Sequence, residues 1–367
     1  MDNSKFDVIN IPLHSDEWYK FRESGIGASE VGYLFPEITG GEYGNPTKLF
    51  YEKIGAVELW KEDNEAMFWG RELEEHIAEK WQYWDGDNKG YLANFKADKI
   101  VRKCRKANGY LRSKDYPWLF VSLDRVINKG FVNLVTGEKM ANEGVLECKT
   151  ISGYIVDKWT AGIPPSYLYQ IHQQMLVTGL DYGEFAILKD GRYFDVIPIQ
   201  RSELICQHII ERTGEFWNKR VVPAKIKFMQ YKEAEKFGKQ ADMDKLDREI
   251  QRLEPEASAG ESYRQFLTER LKMKELEYPT IGNEIQLMIA KRYDVLKEIV
   301  KFFEAQKSQA HNMLLKEVQA AGGKVLDFGE KGKIRFNKML SCNIKTKFDK
   351  DQLMQDLTQF DFTYDKD

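Results

Sequence analysis

Two rhythms of apolar and polar positions divide this 367-residue chain. Up to about residue 222, short capped helical stretches alternate with runs rich in β-branched and aromatic residues, the signature of an α/β fold. Asn45-Pro46 ahead of a short apolar stretch ending at Gly55 supplies an N-cap, a proline at the first helical position and a glycine stop. A longer amphipathic helix is predicted over 65–84. Strands are predicted over 118–127, 144–150, 183–189 and 193–199, with a helix over 165–178 between the second and third.

Beyond Val222 the pattern changes to Glu, Lys, Gln, Leu and Met with few glycines, the makeup of long exposed helices. Met243, Leu246, Ile250 and Leu253 step by three and four, a loop interrupts at 254–260, and a second stripe follows. Ile285, Ile289, Leu296, Ile299, Phe303, Ala310 and Met313 share one seven-residue repeat, broken by Arg292 and Gln306. That seam predicts an antiparallel helical hairpin or coiled coil ended by Ala321-Gly322-Gly323. Residues 324–336, turning at 329–332, read as a small β-hairpin, and the Asp-rich tail reads as loose. The expected organisation is a core over 1–222, a helical hairpin or coiled coil over 223–323, and a hairpin with acidic tail over 324–367.

Composition narrows the class. Apolar residues at 42% and charged residues at 31% describe a folded chain. No stretch approaches the roughly 20 apolar residues of a membrane helix, and the polar start MDNSKFDVIN does not read as a signal peptide, so a cytoplasmic protein with no membrane association is expected. Cys104, Cys148, Cys206 and Cys342 form no CxxC pair, and the five histidines lack ligand spacing, which argues against zinc, iron-sulfur and histidine-based metal sites. A net charge of -3 requires any nucleic-acid site to be a local patch. Arg102, Lys103, Arg105 and Lys106, and later Lys219, Arg220, Lys225 and Lys227, are candidates, with solvated surface charge as the plain alternative.

The chemistry-bearing pattern begins in the strand 144–150. Strand alternation puts Val145, Glu147 and Lys149 on one face and Leu146, Cys148 and Thr150 on the other. A lone Glu-x-Lys is also what a surface ladder gives. The upstream strand sharpens the reading, because Asp124 interrupts an apolar run and a buried carboxylate needs compensation. If 128–143 folds the chain back, Asp124 sits beside Glu147, and a hard divalent cation such as Mg2+ or Mn2+ relieves their repulsion. A third acid, Glu74, lies on the helical stripe of Met67, Gly70, Ile77, Ala78 and Trp81, whereas Glu72, Glu75 and Glu79 read as solvated.

Gly70-x-x-x-Glu74, Asp124, Glu147-Cys148-Lys149 and Tyr169-Gln170-Ile171-His172-Gln173 together resemble the PD-(D/E)XK nuclease superfamily, and within it the YqaJ and lambda-exonuclease branch of phage recombination nucleases. Arg22 followed by Gly25-Ile26-Gly27-Ala28-Ser29-Glu30 resembles that branch's N-terminal motif. The resemblance covers roughly residues 15 to 220. It departs in having Leu123-Asp124 for the usual Pro-Asp, in the long 128–143 loop and in the C-terminal appendage.

The resemblance implies a restriction-endonuclease-like core, a central mixed sheet flanked by helices, and 5′-to-3′ exonuclease activity on double-stranded DNA ends. It implies two Mg2+ ions, with Mn2+ as a substitute, held by Glu74, Asp124, Glu147 and the backbone carbonyl of Cys148. Lys149 is implied to orient or activate the attacking water and to stabilise charge on the scissile phosphate, with Gln170 in support. Arg22 and Ser29 are implied to hold the terminal 5′-phosphate. From its own segment Ser29 serves equally as a helix N-cap. A single-strand annealing protein is the implied partner, in phage-type recombination by strand annealing, and a homo-oligomer the implied assembly. Two other readings stay open: an endonuclease of restriction or junction-resolving type using the same acids, and a non-enzymatic coiled-coil scaffold.

Overall fold

The computed structural model describes residues 1, 3–41, 44–57, 65–152, 159, 162–258, 260–272 and 283–320, and the strands at 325–327, 333–336 and 342–345. The chain forms two compact units, Met1–Glu275 and Leu276–Asp367.

The first unit is built on two sheets. In chain order its strands are β1 (Phe6–Ile9), β2 (Ile26–Gly27), β3 (Cys104–Arg105), β4 (Tyr110–Ser113), β5 (Leu119–Val121), β6 (Arg125–Ile127), β7 (Gly144–Ile151), β8 (Tyr182–Lys189) and β9 (Tyr193–Gln200). Its helices are α1 (Asp16–Glu23), α2 (Pro36–Thr39), α3 (Pro46–Lys53), α4 (Glu65–Trp81), α5 (Asn88–Lys96), α6 (Pro165–Thr178), α7 (Glu203–Glu215), α8 (Val222–Lys236), α9 (Gln240–Gln251) and α10 (Glu261–Lys272). One sheet runs β1-β4-β5-β2 and the other β3-β6-β7-β8-β9.

The five-stranded sheet is mixed. β7 and β8 pair in parallel across the crossover helix α6, and the remaining pairings are antiparallel. α6 covers one face and α4 the other, which sorts the alternating residues of β7. Val145 joins the larger core with Ile171, Phe185 and Ile187, while Leu146 and Cys148 join Ile77, Ala78 and Trp81 on the α4 face. This is the central mixed sheet flanked by helices that was expected.

The apolar run expected as one strand over 118–127 is two. β5 belongs to the four-stranded sheet and β6 to the five-stranded one, so the chain changes sheet at Leu123-Asp124. The polar pair Ser122 and Asp124 breaks the run where the backbone leaves one ladder for the other. The 128–143 loop does fold back: Arg125 opposes Leu146, Val126 opposes Val145 and Ile127 opposes Gly144. The signals at 45–55 also appear as read, with Asn45 Oδ1 accepting the Lys48 N–H at 2.7 Å and Gly55 at φ 79°.

The composition change at Val222 coincides with no break in the chain path. α7 continues through a π-helical turn, Phe216–Val221, into α8, with Pro223 in the first turn. Ala224, Ala234, Ile250 and Phe266 are buried within the first unit. Ser262 Oγ donates to the Gly41 carbonyl at 2.7 Å, and Arg220 to that of Glu254 at 2.6 Å. The Glu- and Lys-rich composition reports solvent exposure along these helices, not separateness. A helical hairpin does form, but α8 and α9 make it, turning at Gly238 (φ 61°) and linked by Lys227–Glu249 at 2.5 Å.

In the second unit, α11 (Glu284–Ala320) carries the seven-residue repeat as one helix. Ile285, Ile289, Leu296, Ile299, Phe303 and Met313 are all exposed. β10 (Val325–Asp327), β11 (Lys333–Phe336) and β12 (Cys342–Lys345) form an antiparallel three-stranded sheet. The expected hairpin corresponds to its first two strands. The glycines at 322–323, the turn at 329–332 and the acidic tail lie outside the described residues. No described helix is long and apolar enough to cross a membrane.

Candidate active site

β7 carries Glu147 and Lys149 on the α6 face, two residues apart and therefore side by side. Glu147 is 2% exposed. Its Oε1 receives Lys149 Nζ at 2.6 Å and Gln170 Nε2 from α6. Its Oε2 receives Gln174 Nε2, one helical turn further on, at 2.7 Å. The α6 motif thus grips one carboxylate with two amides at i and i+4. Gln173, on the adjoining face, donates to the carbonyls of Ile26 at 2.9 Å and Phe120 at 3.1 Å and so ties α6 to β2 and β5.

Asp124 reaches the same place from the sheet crossing. Its Oδ2 accepts the Cys148 N–H at 2.8 Å. Burial first, and then the neighbouring Glu147, push the Asp124 carboxyl well above the usual range, against the opposing pull of Lys149. Burial alone would lower the Lys149 ammonium, but Glu147 and Asp124 overcome it and raise it above its ordinary value. Lys149 is therefore a fixed cation at neutral pH. It also stands 5.0 Å above the Tyr167 ring.

The oxygen-rich donor set fits a hard divalent cation. Two carboxylates repel each other at Asp124 and Glu147. The Cys148 carbonyl points to the same side of β7 as its N–H, toward Asp124, on an edge where pairing with β6 stops at Leu146. The Cys148 thiol is pushed well up by burial and then by Asp124 and Glu147, and it lies on the opposite face, which leaves the backbone oxygen as that residue's donor.

Glu74 stands differently. Its carboxylate is 31% exposed and pairs with Arg125 Nη1 at 2.5 Å, and the same nitrogen donates to the Asp124 carbonyl at 2.5 Å. Glu75 is not simply solvated, for it meets Arg125 Nη2 at 2.9 Å and Lys106 at 2.6 Å. The inward stripe of α4 begins later than the heptad suggested: Met67 is 43% exposed, while Ile77, Ala78 and Trp81 are buried. The structure therefore brings Asp124, Glu147, Lys149 and Gln170 together and holds Glu74 at their margin through Arg125. Among the described residues no three His, Cys, Asp or Glu side chains close into a ligand group.

Ser29 is joined to this site by a cleft of about 190 Å³ lined by Ser29, Tyr33, Thr39, Lys149, Tyr167 and Gln170, among others. Ser29 is exposed and caps no helix. The helical turn that follows it is a 3-10 turn, Val31–Leu34, flanked by Glu30 with no side-chain cap bond. Arg22 is half-buried, pairs with Glu30 and lies 5.2 Å from the Trp18 ring.

The basic segments noted in the sequence are largely neutralised within the fold. Arg102 is buried against Glu184, Arg105 meets Glu143, and Lys106 meets Glu75. Lys219 and Lys227 approach Glu215 and Glu249, and Lys225 donates to the Glu23 carbonyl. Gln174 and Lys53 escaped the sequence reading, and Glu30 was noted there only as the last residue of the N-terminal motif. The i, i+4 spacing of Gln170 and Gln174 was the signal for the first.

Comparison with known proteins agrees with the residue pattern. Residues 17–181 match the YqaJ-like viral recombinase domain, a span that contains every residue of the expected site. The uncharacterized protein YqaJ of Bacillus subtilis (strain 168) is 27% identical over 305 residues, covering 77% of this chain and 86% of that protein. Among solved structures, the alkaline exonuclease LHK-Exo from Laribacter hongkongensis is 17% identical with a TM-score of 0.41, over 60% of this chain and 99% of that one. A phage-related exonuclease from Haemophilus somnus 129PT is 12% identical with a TM-score of 0.32, over 54% and 94% respectively. Over residues 17–181 this chain is thus similar to the YqaJ-like viral recombinase domain.

Proposed function

We propose that the protein is a metal-dependent deoxyribonuclease that hydrolyses phosphodiester bonds from the ends of double-stranded DNA in the 5′-to-3′ direction. The observation that carries this reading is the convergence of Asp124, Glu147, Lys149 and Gln170 beside a cleft that Ser29 also lines. Buried Glu147 and half-buried Asp124, two mutually repelling carboxylates beside an ammonium, have no structural use that apolar side chains would not serve better.

In this reading Asp124, Glu147 and the Cys148 carbonyl hold Mg2+ or Mn2+, and Glu74 adds a ligand for a second ion once it parts from Arg125. The metal, when bound, supplies Lewis-acid stabilisation of the phosphate. Lys149 orients or activates the attacking water and offsets charge growing on the phosphate oxygens. Gln170 and Gln174 fix Glu147, which fixes Lys149 in turn. Arg22 and Ser29 receive the terminal 5′-phosphate, and the single strands released serve an annealing partner in recombination. Self-assembly belongs to the same reading.

Linear duplexes labelled at either end, with and without 5′-phosphate, test it in Mg2+, Mn2+ and EDTA. Metal-dependent loss of nucleotides from 5′-phosphorylated ends is expected, with covalently closed circles left intact. Nicking of the circles would replace the exonuclease with an endonuclease, and absence of hydrolysis on every DNA would remove the enzyme.

A further inference from the structure

Lys53 ends α3 with its side chain fully buried. Its Nζ donates to Glu30 Oε2 at 2.8 Å and to the Arg22 carbonyl at 2.7 Å. Glu30 is buried too. Its Oε2 also accepts the Gly27 N–H at 2.8 Å, and its Oε1 takes Arg22 Nη2. One carboxylate therefore stands between two cations and is bonded to the backbone just ahead of Ser29. The remaining guanidinium donors of Arg22 have no protein partner among the described residues, and the side chain is 23% exposed.

A structural role alone does not account for Lys53. Burying an ammonium is costly, and its neighbours in α3 and beyond, Leu49, Phe50 and Ile54, are buried and apolar. A hydrophobic side chain would fill the same place without that cost. Charge does account for it. Glu30 orients Arg22 but also cancels its charge, and a neutral pair is a poor receptor for a phosphate. Lys53 adds one positive charge against Glu30 and the nearby buried Glu52, which both oppose Arg22. Burial pushes the Glu30 carboxyl up, but Arg22 and Lys53 outweigh it and hold it at about 2, so the carboxylate stays ionised at neutral pH.

We propose that Glu30 and Lys53 are positioning residues for end recognition: Glu30 aims Arg22, and Lys53 restores the charge that lets Arg22 and Ser29 attract a terminal 5′-phosphate. A terminal monoester carries close to two negative charges at neutral pH, one more than an internal diester, and so responds more strongly to the net charge of the cluster. This rests on the reading in which Arg22 and Ser29 receive that phosphate.

The test is fluorescence anisotropy of the full-length protein with blunt duplexes bearing 5′-phosphate or 5′-hydroxyl ends, in EDTA so that no turnover is needed. Wild type is expected to prefer the phosphorylated end by about tenfold, the scale of one charged hydrogen bond. Lys53→Met should erase the preference, Glu30→Gln, whose amide oxygen can still accept from Arg22, should increase it, and the double variant, with the net charge of wild type, should recover it. A purely structural pair would make the double variant no better than Lys53→Met. That result, or full preference in Lys53→Met, overturns the proposal while leaving end recognition intact. Wild type with no phosphate preference overturns end recognition and this inference together, and digestion in Mg2+ still reports separately on nuclease activity. Should Lys53→Met fail to fold by circular dichroism, Glu30→Gln decides alone: a stronger preference supports the charge argument, and an unchanged or weaker one sinks it.

Discussion

The two faces of the five-stranded sheet each bury a glutamate from neighbouring strands, Glu147 of β7 under α6 and Glu184 of β8 under α4. Glu184 is completely enclosed. Arg102 meets its Oε2 at 2.5 Å, Trp81 Nε1 donates to the same oxygen at 2.7 Å, and Tyr182 OH donates to Oε1 at 2.7 Å. One anion is matched by one cation, and each oxygen is satisfied. Glu147 also has partners for both oxygens, but it shares its single ammonium with Asp124, and that ammonium lines an open cleft. A buried acid thus marks a site only where the charge around it is unbalanced and within reach of solvent. A closed and balanced group is architecture.

Substitution at the ammonium should separate the two faces most sharply. Lys149→Ala is expected to lower the hydrolysis rate by about 1,000-fold, the scale of losing a preorganised donor to a developing oxyanion, while duplex binding persists in anisotropy. Turnover near wild type in a folded Lys149→Ala protein would end the assignment of this face as the active one.

The balanced face should respond in stability and not in rate. Glu184→Gln leaves Arg102 buried without its counter-charge, and breaking such a pair costs about 3–5 kcal/mol. Urea denaturation should show that loss, and hydrolysis per folded molecule at a permissive temperature should match wild type. A specific activity that fell with Glu184→Gln would erase the contrast between the faces.

The third effect is one of pH. Glu30 is held at about 2 in the folded protein, below its ordinary value, so the folded state binds this proton less readily than the unfolded chain does. Its contribution is present above the unfolded pKa near 4.5 and is lost as pH falls from there toward 2. Over that window the first unit should lose on the order of 3 kcal/mol through this group, and Glu30→Gln should flatten that part of the stability profile. An unchanged acid limb in Glu30→Gln would show that Arg22 and Lys53 do not hold the carboxylate as the geometry indicates.

How much of this was legible in the sequence depended on the range of the determining contact. α6 and β7 could be read because their signals are local: alternation over 144–151, and a proline start with a glycine stop at Gly179 for 165–178. Asp124 beside Glu147 was also within reach, because the antiparallel return of β6 and β7 carries the register past their last paired residues. The break between β5 and β6 was not, since a change of sheet in the middle of an apolar run is decided by distant strands. Glu74 illustrates the same limit. Its place on the helical stripe was evident, but Arg125, which claims it, faces it only because β6 lies under α4. The composition change at Val222 is a different case. Composition reports which residues face water, and α8 to α10 are wet on one side while anchored on the other by Ala224, Ile250 and Phe266.

The smallest expected effect bears on how the active face is kept in order. Gln174 holds Glu147 Oε2 at 2.7 Å and the Ser122 carbonyl at 3.3 Å, so it couples the β7 carboxylate to the chain just ahead of Asp124. Gln170 holds only the other oxygen, beside Lys149 and at the cleft. If Gln174 acts by setting the distance between the two carboxylates, Gln174→Ala should raise the Mg2+ concentration needed for half-maximal activity with a rate loss of only about tenfold at saturation, one hydrogen bond's worth. Gln170→Ala should lower the saturated rate with little change in Mg2+ demand, because it loosens Lys149 more than it loosens the pair of acids. Metal titrations of both variants, read by hydrolysis and by Mg2+-induced change in melting temperature, distinguish the two roles. Identical shifts in both would mean that α6 holds Glu147 as one rigid clamp, with no division of labour along the helix.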